Sequence, residues 1–118
     1  MIRVSFVGCG GMAAHYLGVY RDLDFVRVVN CIDAVPEAAR QAAESIPGAV
    51  ASTDFALALT DEIDAVIISS PNHMHKPQAV AAIEAGKHVL LQKPVAPNLP
   101  DAEAIAEAAE RSKRTVGL

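Results

Sequence analysis

Short apolar runs alternate with Ala-rich stretches of helical periodicity from one end of the chain to the other. The first run, residues 2–7, is rich in β-branched side chains, and residues 65–68 (Ala-Val-Ile-Ile) are apolar on both faces. Strands that are apolar on both faces belong in a parallel sheet that helices cover on each side. The repeated strand–helix order favours the same architecture. With right-handed crossovers, we predict an α/β fold with a doubly wound parallel sheet of about six strands.

Proline and glycine residues set the predicted helix boundaries. Pro36 and Pro77 suit the first turn of a helix, and Gly86 suits a helix end. The predicted strands are 2–7, 25–32, 49–51, 64–68 and 88–91, with another beginning at 115–118. The predicted helices are 12–23, 36–46, a short one capped by Thr53 or Asp54 and ending at Leu59, 77–85, and a last one from Asn98 or Asp101 to about Lys113.

The composition indicates a single domain, residues 1–118, and excludes several classes of protein. With 52% hydrophobic residues and a net charge of −4, the chain is neither disordered nor suited to a nucleic-acid partner. It has no apolar run long enough for a membrane span and no basic leader typical of secretion. Two cysteines, Cys9 and Cys31, predict reduced thiols in a cytoplasmic protein. Both would lie near the ends of neighbouring strands, where air can oxidise them.

The first motif, residues 8–13 (Gly-Cys-Gly-Gly-Met-Ala), fits the pattern G-x-G-x-x-G/A between a predicted strand and a predicted helix. In a dinucleotide-binding Rossmann fold, Gly8 allows the tight turn, Gly10 lets the backbone approach a pyrophosphate, and Ala13 keeps the helix close to the sheet. The N–H groups at the helix start, with Gly11 and Met12, would face the phosphates. A plain glycine turn is the alternative interpretation.

An acidic residue, Asp33, ends the second predicted strand, twenty residues after Ala13. At that place in this fold, a carboxylate holds the adenosine ribose hydroxyls. Capping of the helix that begins at Pro36 is the alternative role. No arginine stands beside Asp33 to bind a 2′-phosphate, and Arg40 lies farther along the helix. The sequence therefore predicts NAD as cofactor in preference to NADP.

Two further loops follow the fourth and fifth strands. Residues 69–75 (Ser-Ser-Pro-Asn-His-Met-His) would share a crevice with the glycine loop, because the first and fourth strands flank the switch in strand order. Lys93, after the fifth strand, would enter the same crevice to bind a substrate oxygen or move a proton. For Lys93, the alternative is a solvated side chain in a turn stiffened by Pro94. For residues 69–75, the alternative is capping and packing at the start of the next helix. His73 and His75 have no further ligand close in sequence, so we predict no metal site.

Together these motifs resemble the N-terminal domain of the glucose–fructose oxidoreductase, inositol dehydrogenase and rhizopine-catabolism family, written Gfo/Idh/MocA. The resemblance covers the whole chain and implies an NAD(P)-dependent oxidoreductase of sugars, inositols or related polyols. It implies that Lys93 is the catalytic lysine beside substrate and nicotinamide, and that Pro71 and Asn72 lie along the nicotinamide ribose. The motifs are residues 7–13, Asp33, residues 70–72 with His75, residues 85–89, and Lys93-Pro94; the predicted cofactor-binding residues are Gly8, Gly10, Gly11, Met12, Asp33, Ser70, Pro71, Asn72, His75, Gln92 and Lys93.

The chain departs from the family in two ways. Gln92 stands where the family has Glu, so its influence on the charge of Lys93 differs. The family's second α+β domain, which supplies an acid/base Asp and His and most of the substrate pocket, has no counterpart in these 118 residues. We therefore expect a fragment of a longer dehydrogenase that is inactive alone. We also expect a homo-oligomer, formed through exposed surface at 89–91 and 95–97.

Two other functions compete with the dehydrogenase interpretation. A nucleotide-sensing module without catalysis would have no need of Lys93 beside the nicotinamide. A short coenzyme-A-binding domain has similar length and topology, but Asp33 at the ribose position argues against it.

Overall fold

The computed structural model describes residues 1–92, 96 and 98–117, with the backbone alone for residues 11–14. Among these residues, six parallel strands form one sheet. The strands are β1 (Ile2–Val7), β2 (Val26–Ile32), β3 (Val50–Ser52), β4 (Ala65–Ile68), β5 (His88–Leu91) and β6 (Val116–Gly117). Their order is β3-β2-β1-β4-β5-β6, so β1 and β4 are neighbours at the switch in strand order, as predicted.

Helices cover both faces of the sheet. They are α1 (Gly11–Arg21), α2 (Pro36–Glu44), α3 (His75–Glu84) and α4 (Leu99–Ser112), with short 3-10 helices at Phe55–Ala58 and Asn72–Met74. Successive strand residues point to opposite faces. Phe6 and Cys31 pack with Leu17 of α1 on one side, whereas Val7 and Ile32 belong to the cluster that contains the buried residues of α3 and α4 on the other. This arrangement confirms the doubly wound Rossmann-type fold.

Local capping explains where the helices begin and end. The Asn98 side chain accepts a hydrogen bond from the Asp101 amide at 2.9 Å, so Asn98 is the residue that caps α4. Asp54 caps the first 3-10 helix by accepting from the Ala56 amide at 3.0 Å. The helix α3 begins at His75, two residues before the predicted start. Pro77 is tolerated there because the first-turn N–H groups have no partner within the helix.

The predicted exposure of residues 89–91 is wrong for two of the three residues. Val89 and Leu91 are buried against the α3 and α4 side, and Leu90 alone is exposed. Of the 95–97 stretch, Ala96 packs against the same core, whereas Val95 and Pro97 lie outside the described residues. None of the helices in the described ranges has the length and apolar character needed to cross a membrane.

Candidate dinucleotide-binding site

The turn between β1 and α1 requires glycine at its first position. Gly8 has a φ of 91°, and a Cβ there would lie 2.3 Å from the Ser70 amide nitrogen. The loops after β1 and β4 therefore touch at Gly8, and the Ser69 amide donates to the Val7 carbonyl at 2.7 Å. No side chain fits between these two backbones, so Gly8 sets how closely the two loops approach.

The second glycine of the motif faces open space. Gly10 is the N-cap of α1 and has no side chain to accept from the first N–H groups of that helix. Apart from its chain neighbours, no atom of the described residues lies within 4 Å of the position that a Cβ would take at Gly10. A phosphate can reach the α1 N–H groups at Gly11 and Met12 because that space is clear. The observed backbone therefore fits the predicted pyrophosphate-binding role.

The half-buried Asp33 carboxylate holds two backbone amides at the end of β2. Its Oδ2 accepts from the Cys9 amide at 2.7 Å, and its Oδ1 accepts from the Val35 amide at 2.8 Å. Asp33 therefore ties the glycine loop to the β2–α2 turn, whereas the N-cap of α2 is Val35. A carboxylate has about four acceptor sites, so this one retains acceptor capacity for ribose hydroxyls.

A cleft of about 780 Å³ joins these features at the carboxyl edge of the sheet. Its volume falls within the usual range for small-molecule sites, roughly 300–1,000 Å³. From the prediction, Gly8, Gly10, Asp33, Ser70 and Pro71 line this cleft together. His73 and Met74 also line it and belong to the 69–75 loop that is predicted to share this crevice, whereas sequence reasoning missed Ala34, Val35, Thr53, Phe55 and Gln78. The position of Thr53 just after β3, at the carboxyl end of a parallel strand, was the signal available for it.

The loop after β4 is fixed from beneath by a buried histidine. His75 is 1% exposed, and its Nε2 lies 2.9 Å from the Ser70 carbonyl oxygen. The Ser70 hydroxyl is bonded to Gln78 of α3. His75 is therefore placed to position Ser70 from the core, without lining the cleft itself. Asn72 is exposed at the start of the second 3-10 helix and is also not among the lining residues.

The two histidines of the 73–75 loop do not converge. The His73 side chain lines the cleft, whereas His75 is buried below it. Within the described part of the chain, no group of three or more His, Cys, Asp or Glu side chains is arranged to hold a metal ion.

The sequence and the fold of this chain are both similar to those of known proteins. Residues 2–118 match the Gfo/Idh/MocA family, described as an oxidoreductase family with an NAD-binding Rossmann fold. The chain belongs to this family. The crystal structure of an NAD binding oxidoreductase from Klebsiella pneumoniae superposes with a TM-score of 0.88 at 33% identity and covers 99% of this chain.

Several curated relatives are dehydrogenases. The 4-carboxy-2-hydroxymuconate-6-semialdehyde dehydrogenase of Sphingobium sp. is 33% identical over 94% of this chain, which spans 36% of that protein. The NADP(+)-type scyllo-inositol 2-dehydrogenase of Bacillus subtilis is 34% identical over 93% of this chain, which spans 34% of it. The Klebsiella chain is likewise matched over 34% of its length. This chain therefore represents the NAD-binding domain, about a third of its relatives' length.

The residue that replaces the family Glu lies beside the main cleft rather than in it. Gln92 lines a separate hollow of about 390 Å³ with Tyr16, Tyr20 and Leu90, and its Nε2 is 3.4 Å from the Tyr16 hydroxyl. Ser69 borders both this hollow and the cleft. Lys93, the predicted catalytic residue, lies outside the described residues.

Proposed function

We propose that the intact protein is an NAD-dependent oxidoreductase of a sugar, an inositol or a related polyol. The observation that carries the proposal is the single cleft lined by Gly8, Gly10, Asp33, Ser70 and Pro71. The inositol dehydrogenase relative supports the substrate class. Bound nicotinamide supplies a hydride acceptor or donor for a carbinol or carbonyl carbon of the substrate.

Each residue has a distinct proposed role. Gly10 leaves space for the pyrophosphate at the start of α1, and Asp33 accepts hydrogen bonds from the adenosine ribose. Pro71 and Asn72 lie along the nicotinamide ribose, and His75 holds their loop through Ser70. Lys93 binds the substrate oxygen or moves its proton.

The charges around the ribose position favour NAD over NADP. Asp33 repels a 2′-phosphate, and the nearest helical arginine is already engaged. Arg40 bonds the carboxylates of both Glu37 and Glu44, and these carboxylates raise the pKa of its guanidinium. To bind a phosphate, Arg40 would first have to leave two acidic partners. The NADP-type relative shows that cofactor preference differs within the family, so we assign the preference here from this chain's own residues.

The direct test is calorimetric titration of the 118-residue chain with NAD and with NADP. We expect NAD to bind more tightly. A Gly10→Val variant should abolish binding, because its side chain would fill the open space in front of α1. Gly18→Ala is the matched control, since Gly18 also has open space but lies inside α1. Failure of the wild-type chain to bind NAD, or full binding by Gly10→Val, would contradict the proposed site.

We further propose that the protein is a cytoplasmic homo-oligomer. The hollow between Tyr16, Tyr20 and Leu90 supports the oligomer, because it leaves apolar surface open on the α1 side of β4 and β5.

A further inference from the structure

The two cysteines of the chain meet on the α1 face of the sheet. Cys31 is fully buried in β2 and is paired in register with Phe6 of β1. Cys9 lies three residues beyond Phe6, packs against the core cluster that includes Cys31, and places its Sγ 3.5 Å from the Ile32 carbonyl oxygen. Both cysteines therefore belong to one cluster, and the Cys9 Sγ lies next to the backbone that follows Cys31. The chain holds two neighbouring thiols beneath its glycine loop.

Cys9 lies between two glycines that line the nucleotide cleft, although it does not line the cleft itself. Gly8 and Gly10, on either side of Cys9, line the cleft. The Cys9 amide donates to Asp33 at 2.7 Å. A displacement of Cys9 therefore shifts Gly10, which leaves space for the pyrophosphate. It also shifts Asp33, whose carboxylate is proposed to bind the ribose.

We propose that Cys9 and Cys31 are a reversible redox site, at which a hydroperoxide forms an intramolecular disulfide that opposes NAD binding. In the first step the half-buried Cys9 sulfur attacks the hydroperoxide, its O–O bond breaks, and Cys9 sulfenic acid and an alcohol form; with hydrogen peroxide the alcohol is water. In the second step Cys31 attacks the Cys9 sulfur, the S–O bond breaks and water leaves. The two sulfurs lose two electrons in total, and the hydroperoxide gains them.

Access to solvent assigns the order of attack, because Cys9 is half-buried whereas Cys31 is fully buried. The interaction between the two thiols raises the pKa of Cys9 and lowers the pKa of Cys31. Cys31 is therefore the sulfur that more readily becomes the attacking thiolate, while Cys9 is the one nearer solvent. Thiolate attack on an oxidised sulfur is the step that closes a disulfide.

Closing the disulfide must displace the glycine loop. Bonded sulfurs lie only about 2.05 Å apart, far closer than two separate thiols in contact. Cys31 sits in a strand that is paired with β1 on one side and β3 on the other, so the movement falls on Cys9. The cost appears as weaker NAD binding, and by reciprocity bound NAD opposes oxidation. This inference rests on the proposed nucleotide site.

The test treats the 118-residue chain with hydrogen peroxide, then measures its mass under denaturing conditions, its free thiols and its NAD affinity by calorimetry. We expect a loss of two hydrogens in mass, loss of both thiols, and NAD affinity lowered about tenfold or more, a change typical of coupled sites. Dithiothreitol should restore all three, and saturating NAD should slow the oxidation. Cys31→Ala and Cys31→Val are the controls, and neither should lose NAD affinity through a disulfide.

The outcomes separate this inference from the proposed function. If the reduced chain fails to bind NAD, the nucleotide site itself is wrong. If the reduced chain binds NAD but peroxide adds only oxygen, or yields a disulfide-linked dimer, the redox site is wrong. If the intramolecular disulfide forms and NAD affinity is unchanged, the opposition between oxidation and binding is overturned.

Discussion

Replacing Gly8 by Ala adds two costs to the free energy of folding, one from the backbone conformation and one from a steric clash. The φ of 91° is one cost, which for an L residue is about 1–2 kcal/mol. The second is steric, because the new Cβ would lie 2.3 Å from the Ser70 amide nitrogen and 2.5 Å from the Ser69 carbonyl carbon. Both contacts are with backbone, so the two loops must separate, and overpacking of this kind costs about 1–3 kcal/mol. We expect Gly8→Ala to lower the free energy of unfolding by about 2–5 kcal/mol in total.

Gly48→Ala is the matched control. Gly48 has a φ of 82°, but among the described residues no atom beyond its chain neighbours lies within 4 Å of its Cβ position, so only the backbone cost applies there. Urea unfolding of the two variants and the wild type gives each cost from the shift in midpoint at constant m-value. The difference between the variants is the steric cost, and Gly8→Ala should also weaken NAD binding, unlike Gly48→Ala. Equal destabilisation by the two substitutions would refute the close approach of the loops.

Four other results are expected. Asp33→Ala should weaken NAD binding, because a ribose acceptor worth about 1.5–3 kcal/mol is lost. It should also reduce the difference in affinity between NAD and NADP in paired calorimetric titrations, because a charge that repels the 2′-phosphate is lost. A larger difference in affinity would contradict this role. Arg3 lowers the pKa of Asp64 to about 2, so this carboxylate stabilises the fold above its ordinary pKa of 3.8, and that contribution is lost as the pH falls toward 2. Urea unfolding at several pH values should show a weaker acid dependence for Arg3→Gln, and an unchanged one would argue against the pair. The purified chain should not reduce NAD with any sugar or polyol in an absorbance assay, and steady turnover would overturn that expectation. Light scattering over a tenfold concentration range should show self-association, against which a constant mass near 12.4 kDa would count.

The fold followed from the sequence because its signals were local and repeated. Each strand of the sheet is a short apolar run next to a helical stretch, and handedness then leaves few topologies. Helix boundaries were less predictable. The helix α3 begins at His75, because proline is tolerated anywhere in the first turn and Pro77 therefore does not mark the start. The faces of β5 were predicted wrongly because exposure depends on which helices cover each side of the sheet. That is a tertiary property, and it buries Val89 and Leu91 but not Leu90.

The candidate site was predictable where its chemistry requires a particular residue type. Gly8 and Asp33 have positions fixed by the turn and the strand end, and both line the cleft. Phe55 and Gln78 were missed because no local pattern distinguishes a cleft-lining side chain from another helical one. His75 was predicted to bind the cofactor from its motif, yet its place in the core indicates a supporting role. Asp33 is predicted to bind the adenosine ribose. In the structure its carboxylate also accepts hydrogen bonds from the Cys9 and Val35 amides.

Those two amide partners constrain how the cofactor preference of this protein can be redesigned. Accepting a 2′-phosphate calls for removal of the Asp33 charge, but a substitution that also removes the side-chain oxygens leaves the Cys9 amide without its acceptor. A change in selectivity made in that way therefore also loosens the glycine loop. A successful variant must keep a neutral acceptor for the Cys9 amide, and Asp33→Asn, which retains a carbonyl oxygen, is the simplest first member of such a library. Variants that remove the acceptor together with the charge should lose affinity for both dinucleotides.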